Sequence, residues 1–256
     1  MMKKLFLTLA VVLLLISGCK KTEVVQLNLK GTVVGYVTLY DEFRNEKPDY
    51  SGATVTLDGS DPEISAITDA DGRYELADIP SGTYDVVISK EGYAENRIQS
   101  IGIVGGGNEP IGISSCYLCE ISKTTIDDLA VEIDSIISEI NFYKMFLTGN
   151  INHNATITDT MPIHFAPLIR FFVSVDNNPS TTNYVFTSDF LTKTESGAQF
   201  REQIRLHKSL FEPGTTIYII AYGSSNYDGD YYDYFENKYI YNDLGQPSNI
   251  ASITLP

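Results

Sequence analysis

The sequence predicts an all-β protein of two tandem β-sandwiches, and three observations predict it. Short runs of alternating apolar and polar residues recur at close intervals, bounded by Gly, Pro, Asp or Asn, as the strands and turns of sandwiches do. A Gly105-Gly106-Gly107-Asn108 stretch followed by Pro110 parts these runs into two groups. The length of 256 residues holds two domains of roughly 100 residues beside a short leader.

The leader opens with Lys3 and Lys4 and continues as an apolar run from Leu5 to Ile16, broken only by Thr8. It ends in Ile16-Ser17-Gly18-Cys19. A membrane span needs about 20 apolar residues, so this segment reads as a secretory signal. Its last four residues resemble the lipobox of bacterial lipoproteins. The resemblance implies a signal peptide over residues 1–18, lipidation (palmitate among the acyl groups) at Cys19 and a tether over 19–27. The mature chain would then meet a membrane through lipidated Cys19, on the outer membrane, at the cell surface or the periplasmic face. Several acyl chains make that anchor lasting, at about 0.8 kcal/mol per buried CH₂. The chain carries a formal charge of −15, and losing Lys3 and Lys4 makes it more negative. Such a surface repels phosphate backbones, so no nucleic-acid partner is expected.

The first sandwich is expected over 28–115. Gly31 to Val37 alternates, Glu42 to Tyr50 is polar and loop-like, and Ala53, Val55 and Leu57 share one strand face. Ile64 to Thr68 and Arg73 to Leu76 flank Asp69-Ala70-Asp71-Gly72, a turn whose glycine tolerates positive φ. Asp78-Ile79-Pro80-Ser81-Gly82 is a second turn, and Thr83 to Ser89 places Tyr84, Val86 and Ile88 on one face. Ile101 to Val104 closes the set. Gly52-Ala53-Thr54-Val55, Thr68-Asp69-Ala70-Asp71-Gly72-Arg73-Tyr74, Ile79-Pro80-Ser81-Gly82-Thr83-Tyr84 and Lys90-Glu91-Gly92-Tyr93 follow one another in the order and spacing of a known family. They resemble the carboxypeptidase regulatory-like domain, a transthyretin-like (prealbumin-like) sandwich. The segment from Asp41 to Tyr50 departs from that family as an insert. What the resemblance implies is a scaffold with an accessory role and no catalytic residue.

The second sandwich is expected over 120–256. Thr125 to Ile140 fits either an entering strand or a short helix, since both periods are present. Strands follow at Lys144 to Ile151, Leu168 to Val175, Asn183 to Phe190, Gln203 to Leu210, Thr216 to Tyr222 and Ile250 to Leu255. Leu210-Phe211-Glu212-Pro213-Gly214, continuing through Tyr218 and Tyr222, resembles the corner between two strands of a fibronectin type III or immunoglobulin-like domain. That family's usual tryptophan is absent, because the chain has none.

Chemistry is sparse. Cys116-Tyr-Leu-Cys119 admits a local disulfide or two free thiols, and no βαβ pattern supports a thioredoxin-like site. His153, His164 and His207 lie in no zinc or nucleophile motif, so neither a cofactor nor a catalytic residue is expected and the chain reads as a non-enzyme. Asp69-x-Asp71 reads as a turn rather than a calcium loop. The Asn226 to Asp233 loop gathers more oxygen donors, yet a solvated acidic loop explains it, and no metal site is expected. The same stretch is rich in tyrosine. Tyr227, Tyr231 and Tyr232, with Asp228 and Asp230, are the candidate ligand contacts, since a flat ring with a hydroxyl suits a sugar or a protein partner. Tyr218, Tyr222 and Tyr239 are expected to point into the core.

The function expected is that of a membrane-anchored, non-catalytic accessory protein that binds carbohydrate or a partner. The resemblance points to outer-membrane glycan uptake, with a polysaccharide or a transporter as partner. The alternative is a structural spacer, assembly or adhesion module without a small-molecule ligand.

Overall fold

A computed structural model describes residues 29–107, 109–134, 141–227 and 229–256. The leader, tether, Cys19 and Asp228 lie outside the described residues.

The first module contains β1 (Lys30–Tyr40), β2 (Thr54–Asp58), β3 (Ile64–Ile67), β4 (Arg73–Pro80), β5 (Gly82–Ser89), β6 (Asn96–Ile103), β7 (Ile111–Gly112) and β8 (Cys116–Cys119). One sheet joins β4 to β1, with β7 and β8 added in parallel along the other side of β1. The second sheet runs β3-β2-β5-β6. Alternation decides what meets between them: Val33, Val37 and Leu39 from β1 face Val55, Leu57, Val86 and Ile88, all buried. Asp69 closes the β3–β4 turn as expected, its carboxylate accepting from the amides of Asp71 and Arg73. Gly72 has φ +76°, and a Cβ there would sit 2.1 Å from the Val37 carbonyl, so only glycine fits.

The expected turn at Asp78 to Gly82 takes a different form. Strand β4 continues to Pro80, and Asp78, at φ 58°, forms a bulge opposite the register shift between Gly31 and Val33. That extra residue lets Leu76 and Ile79, three apart, both reach the core. The Cys116 to Cys119 segment is the last strand of the first module, with Val37 to Tyr40 as its partners.

The second module sets β9 (Thr125–Ile133), β10 (Phe142–Asn152) and β13 (Ala198–His207) against β12 (Phe186–Leu191), β11 (Leu168–Ser174), β14 (Thr216–Ser224) and β17 (Ala251–Thr254). The entering segment is thus a strand over 125–133, and residues 135–140 lie outside the described residues. The core is aliphatic and aromatic, with Met145, Leu147, Phe171, Phe200 and Ile219 buried. Phe211, not Leu210, plugs the corner: Phe211 is 3% exposed and Leu210 41%.

The tyrosine expectation for β14 is corrected. Ile217, Ile219 and Ala221 face the core, which puts Tyr218 and Tyr222 on the opposite side of the sheet. Apolar residues fill both phases of this strand, so alternation alone does not choose the inner face. Tyr239, 53% exposed, is not a core residue either.

Between β14 and β17 the chain forms a hairpin, β15 (Asp230–Asp233) and β16 (Lys238–Tyr241). Part of it covers the outer face of the second module's larger sheet. Every residue of β11 is therefore buried, whereas a sandwich strand with one wet face alternates. Phe172, on that outer face, meets the rings of Tyr184, Tyr222 and Tyr241 at 5.0 to 5.7 Å between centroids.

Candidate functional site

The aromatic hairpin and the junction it rests on are the part of the molecule where side chains gather beyond what the two cores need. The junction begins with the insert. Glu42 is 4% exposed, and its Oε2 accepts from Ser122 Oγ (2.7 Å), Lys123 N (2.9 Å), Thr124 N (3.2 Å) and Thr124 Oγ1 (3.1 Å). One carboxylate oxygen from the first module thus fixes the connection leading into the second. From the other side, Gly223 lets that connection pass close, because a Cβ there would lie 2.4 Å from the Thr124 carbonyl. Asn226 N donates to the Glu42 carbonyl, and Ser122 N to that of Asp243.

Tyr227 completes the joint. Its ring lies 4.3 Å from that of Tyr40 and 4.4 Å from that of Tyr117, with the Arg44 guanidinium 4.7 Å from its centroid. Burial, and then the neighbouring Tyr227, push the Tyr40 phenol up to about 12. Tyr227 is therefore an element of the interface between modules rather than an open ligand platform.

The hairpin base also leans on the first module. Gln99 Nε2 donates to the Tyr232 carbonyl (3.3 Å) and Asn242 Nδ2 to that of Glu95 (3.1 Å). Tyr231 is half-buried; burial raises its phenol, and the nearby Arg97 guanidinium opposes that rise. Asp230 points the other way and accepts from Arg170 at 3.1 Å. Buried Arg170 also pairs with Asp189 at 3.2 Å and lies 5.2 Å from the centre of the Tyr241 ring. Asp230 is thus committed to holding the hairpin down.

The tip is different. Tyr234 and Phe235 are 77% and 78% exposed, and they are held there by a fixed turn. Asp233 Oδ1 accepts from the amides of Phe235 (2.8 Å) and Glu236 (3.0 Å), and the Tyr232 hydroxyl donates to Asn237 Oδ1 (2.7 Å). Asn237 takes φ 53°, a left-handed conformation that asparagine tolerates. The Tyr232 ring lies edge-on to Tyr234 and Tyr239 at 5.2 and 5.1 Å, supporting the tip from beneath. Among the sequence candidates, then, Tyr227, Tyr231, Tyr232 and Asp230 form the base of this element, and the exposed aromatics are Tyr234, Phe235 and Tyr239.

The remaining chemistry is structural. Cys116 and Cys119 do not bridge, which corrects the disulfide alternative. Residues three apart on a strand point to opposite faces, with Cα atoms about 10 Å apart, beyond the roughly 7 Å limit for a disulfide. Burial pushes the Cys116 thiol up to about 12, so it is not a nucleophilic thiolate at neutral pH. His153 is buried, with Nε2 2.9 Å from the Thr194 carbonyl and Nδ1 accepting from Ala155 N. His207 Nδ1 approaches both the hydroxyl and the amide of Ser209, a capping arrangement. Among the described residues no group of three or more His, Cys, Asp or Glu is placed to hold a metal ion.

Residues 32–114 match the carboxypeptidase regulatory-like domain family. No curated protein matches the chain. Among solved structures, the chain is similar to a type II cohesin–X-dockerin complex from Acetivibrio cellulolyticus, at 26% identity and a TM-score of 0.29. That match covers 35% of this chain and 58% of the other, so this chain spans little more than half its length. A DUF3823 family protein from Bacteroides ovatus is 12% identical over 89% of this chain and 100% of its own, with a TM-score of 0.32. A proposed carbohydrate binding protein from Bacteroides uniformis is 10% identical over 88% and 99%, with a TM-score of 0.29. At these TM-scores the structural likenesses carry no statement about ligand or activity.

Proposed function

We propose that this is a non-catalytic accessory protein, held to the outer membrane through lipidated Cys19, whose exposed hairpin tip contacts a partner protein. The observation that carries this reading is the pair Tyr234 and Phe235, both more than three-quarters exposed on a turn that is already fixed. A tip ordered before binding loses little conformational freedom on association, which is where most flexible loops give up affinity. Phenylalanine has no polar atom, so an exposed Phe235 fits an apolar pocket of a protein better than a hydrated sugar, and aromatics dominate protein interfaces. The packing of Tyr227 against Tyr40 and Tyr117 favours a fixed relation between the modules, as a presenting arm requires.

The family resemblance points to glycan uptake, where the partner would be an outer-membrane transporter. The three-plus-four strand arrangement of the second module supports a fibronectin type III or immunoglobulin-like assignment for it. The absence of enzymatic activity is part of the same reading, and the structural engagement of His153 and His207 supports it.

A photo-crosslinking residue at position 235 of the full chain in its native cells tests the contact. One saturable adduct in the membrane fraction is expected there, with none from position 67, where Ile67 is 70% exposed on β3 of the first module. Equal yields at both positions, or none at 235, would overturn the assignment. Metabolic labelling with an alkyne-bearing palmitate, lost in Cys19→Ser, checks the anchor separately.

A further inference from the structure

A groove of about 460 Å³ opens at the junction, away from the hairpin tip, and its walls come from both modules. One wall is the Asp41 to Lys47 part of the insert, the floor is the Glu120 to Lys123 connection, and the other wall is the 154–165 loop of the second module. The volume falls in the range of small-molecule sites, roughly 300 to 1,000 Å³. We propose that this groove binds a short neutral saccharide, independently of the contact made by the hairpin.

The groove is preformed. Asp41 Oδ1 accepts from Phe43 N and Asn45 N, and its Oδ2 accepts from Asn45 Nδ2, so the insert is a closed turn. The Glu42 carboxylate fastens that turn to the connection, as described above. The facing wall is tied by Asn226, whose Nδ2 donates to the carbonyls of His164 (3.0 Å) and Ala166 (2.7 Å). Both sides are therefore in place before a ligand arrives.

Its chemistry selects a neutral polyol. Glu120 accepts from Lys47 at 2.7 Å and from Lys123 at 3.1 Å. Burial alone would raise the Glu120 carboxyl, but the two ammonium groups hold it below its ordinary value, so Glu120 stays ionised at neutral pH. Each ammonium has three donors and gives one to Glu120, and the carboxylate can accept further bonds beyond those two. Sugar hydroxyls both donate and accept, and so engage the two signs side by side. The two lysines face three carboxylates, Glu120, Asp41 and Glu42, so the groove is left slightly negative and an anionic ligand gains no attraction. Phe165 and Met161 add an apolar patch on which the C–H face of a pyranose ring can lie. The wall that makes the site is the insert, the segment in which the first module departs from its family.

Titration calorimetry of the full chain tests this with a panel of neutral trisaccharides: maltotriose, cellotriose, laminaritriose, xylotriose and mannotriose. Trigalacturonate and a Gly-Ser-Gly peptide serve as charged and peptide probes. At least one neutral trisaccharide is expected to bind, at least tenfold more weakly in Lys123→Met and not detectably in Ala155→Trp, which fills the groove. Lys123 has a 63% exposed side chain, so its replacement leaves folding intact even if the tryptophan does not. A Tyr234→Ser Phe235→Ser variant is expected to bind the sugar unchanged, which separates this site from the partner contact. No binding by any neutral trisaccharide, binding insensitive to Lys123→Met, or preference for trigalacturonate or the peptide would overturn the proposal.

Discussion

Tyr227 and Phe235 stand close in sequence, within one aromatic and acidic stretch, yet they have opposite fates. Tyr227 packs against two tyrosines of the other module, while Phe235 projects 78% exposed from a turn. Composition is the same around both, so composition does not separate structural from contacting aromatics. Position on the hairpin does. The base reaches β6 through Gln99 and β8 through Tyr117, whereas the tip leaves Tyr234 and Phe235 more than three-quarters exposed.

Four substitutions sharpen that contrast, taken from the largest expected effect. Glu42→Leu leaves the Ser122, Lys123 and Thr124 donors unanswered in a buried joint, so the unfolding free energy from urea melts should fall by about 3 kcal/mol or more. The modules should then melt as two transitions where the parent shows one. Tyr227→Ala removes a ring packed against two tyrosine rings and the Arg44 guanidinium and should lower stability by about 2–3 kcal/mol, with crosslinking through position 235 retained where the chain remains folded. Tyr234→Ser with Phe235→Ser should change stability by no more than about 0.5 kcal/mol, since both side chains are solvated, and should abolish partner contact. If that pair destabilises as much as Tyr227→Ala, tip and base are not distinct.

The smallest effect concerns Asp243, which is 1% exposed. Burial raises its carboxyl despite hydrogen bonds from Ser224 Oγ and Ser225 N and the charge of Arg170. A raised folded-state pKa favours the fold while the group is protonated, and that contribution is lost as pH rises from the ordinary carboxylate range through the raised value. Asp243→Asn should therefore raise the unfolding midpoint slightly at pH 7, and the gain should vanish toward the ordinary carboxylate range. A gain independent of pH would assign the effect to packing.

Alternation made most of both sandwiches legible, because β1, β2 and β5 each expose one face to water and bury the other. It failed where both faces are covered. The uniform burial of β11 follows from a hairpin arriving from far along the chain, and the inner phase of β14 depends on which of two apolar sets meets the facing sheet. The bulge at Asp78 was hidden because its left-handed φ falls on an aspartate instead of a glycine. Within the site, the tyrosine-rich stretch announced itself, but its division into base and tip did not. Glu42 gave no local signal, since its four donors lie some eighty residues away. Its place in an insert that departs from the family pattern was the one available hint.

Nitration of the folded protein by tetranitromethane, with peptide mapping over time, tests the division within the aromatic stretch most directly. Tyr234 and Tyr239 should be modified first, while Tyr227 and Tyr40 stay protected until the chain unfolds. Tyr227 reacting as fast as Tyr234 in the folded protein would contradict the account.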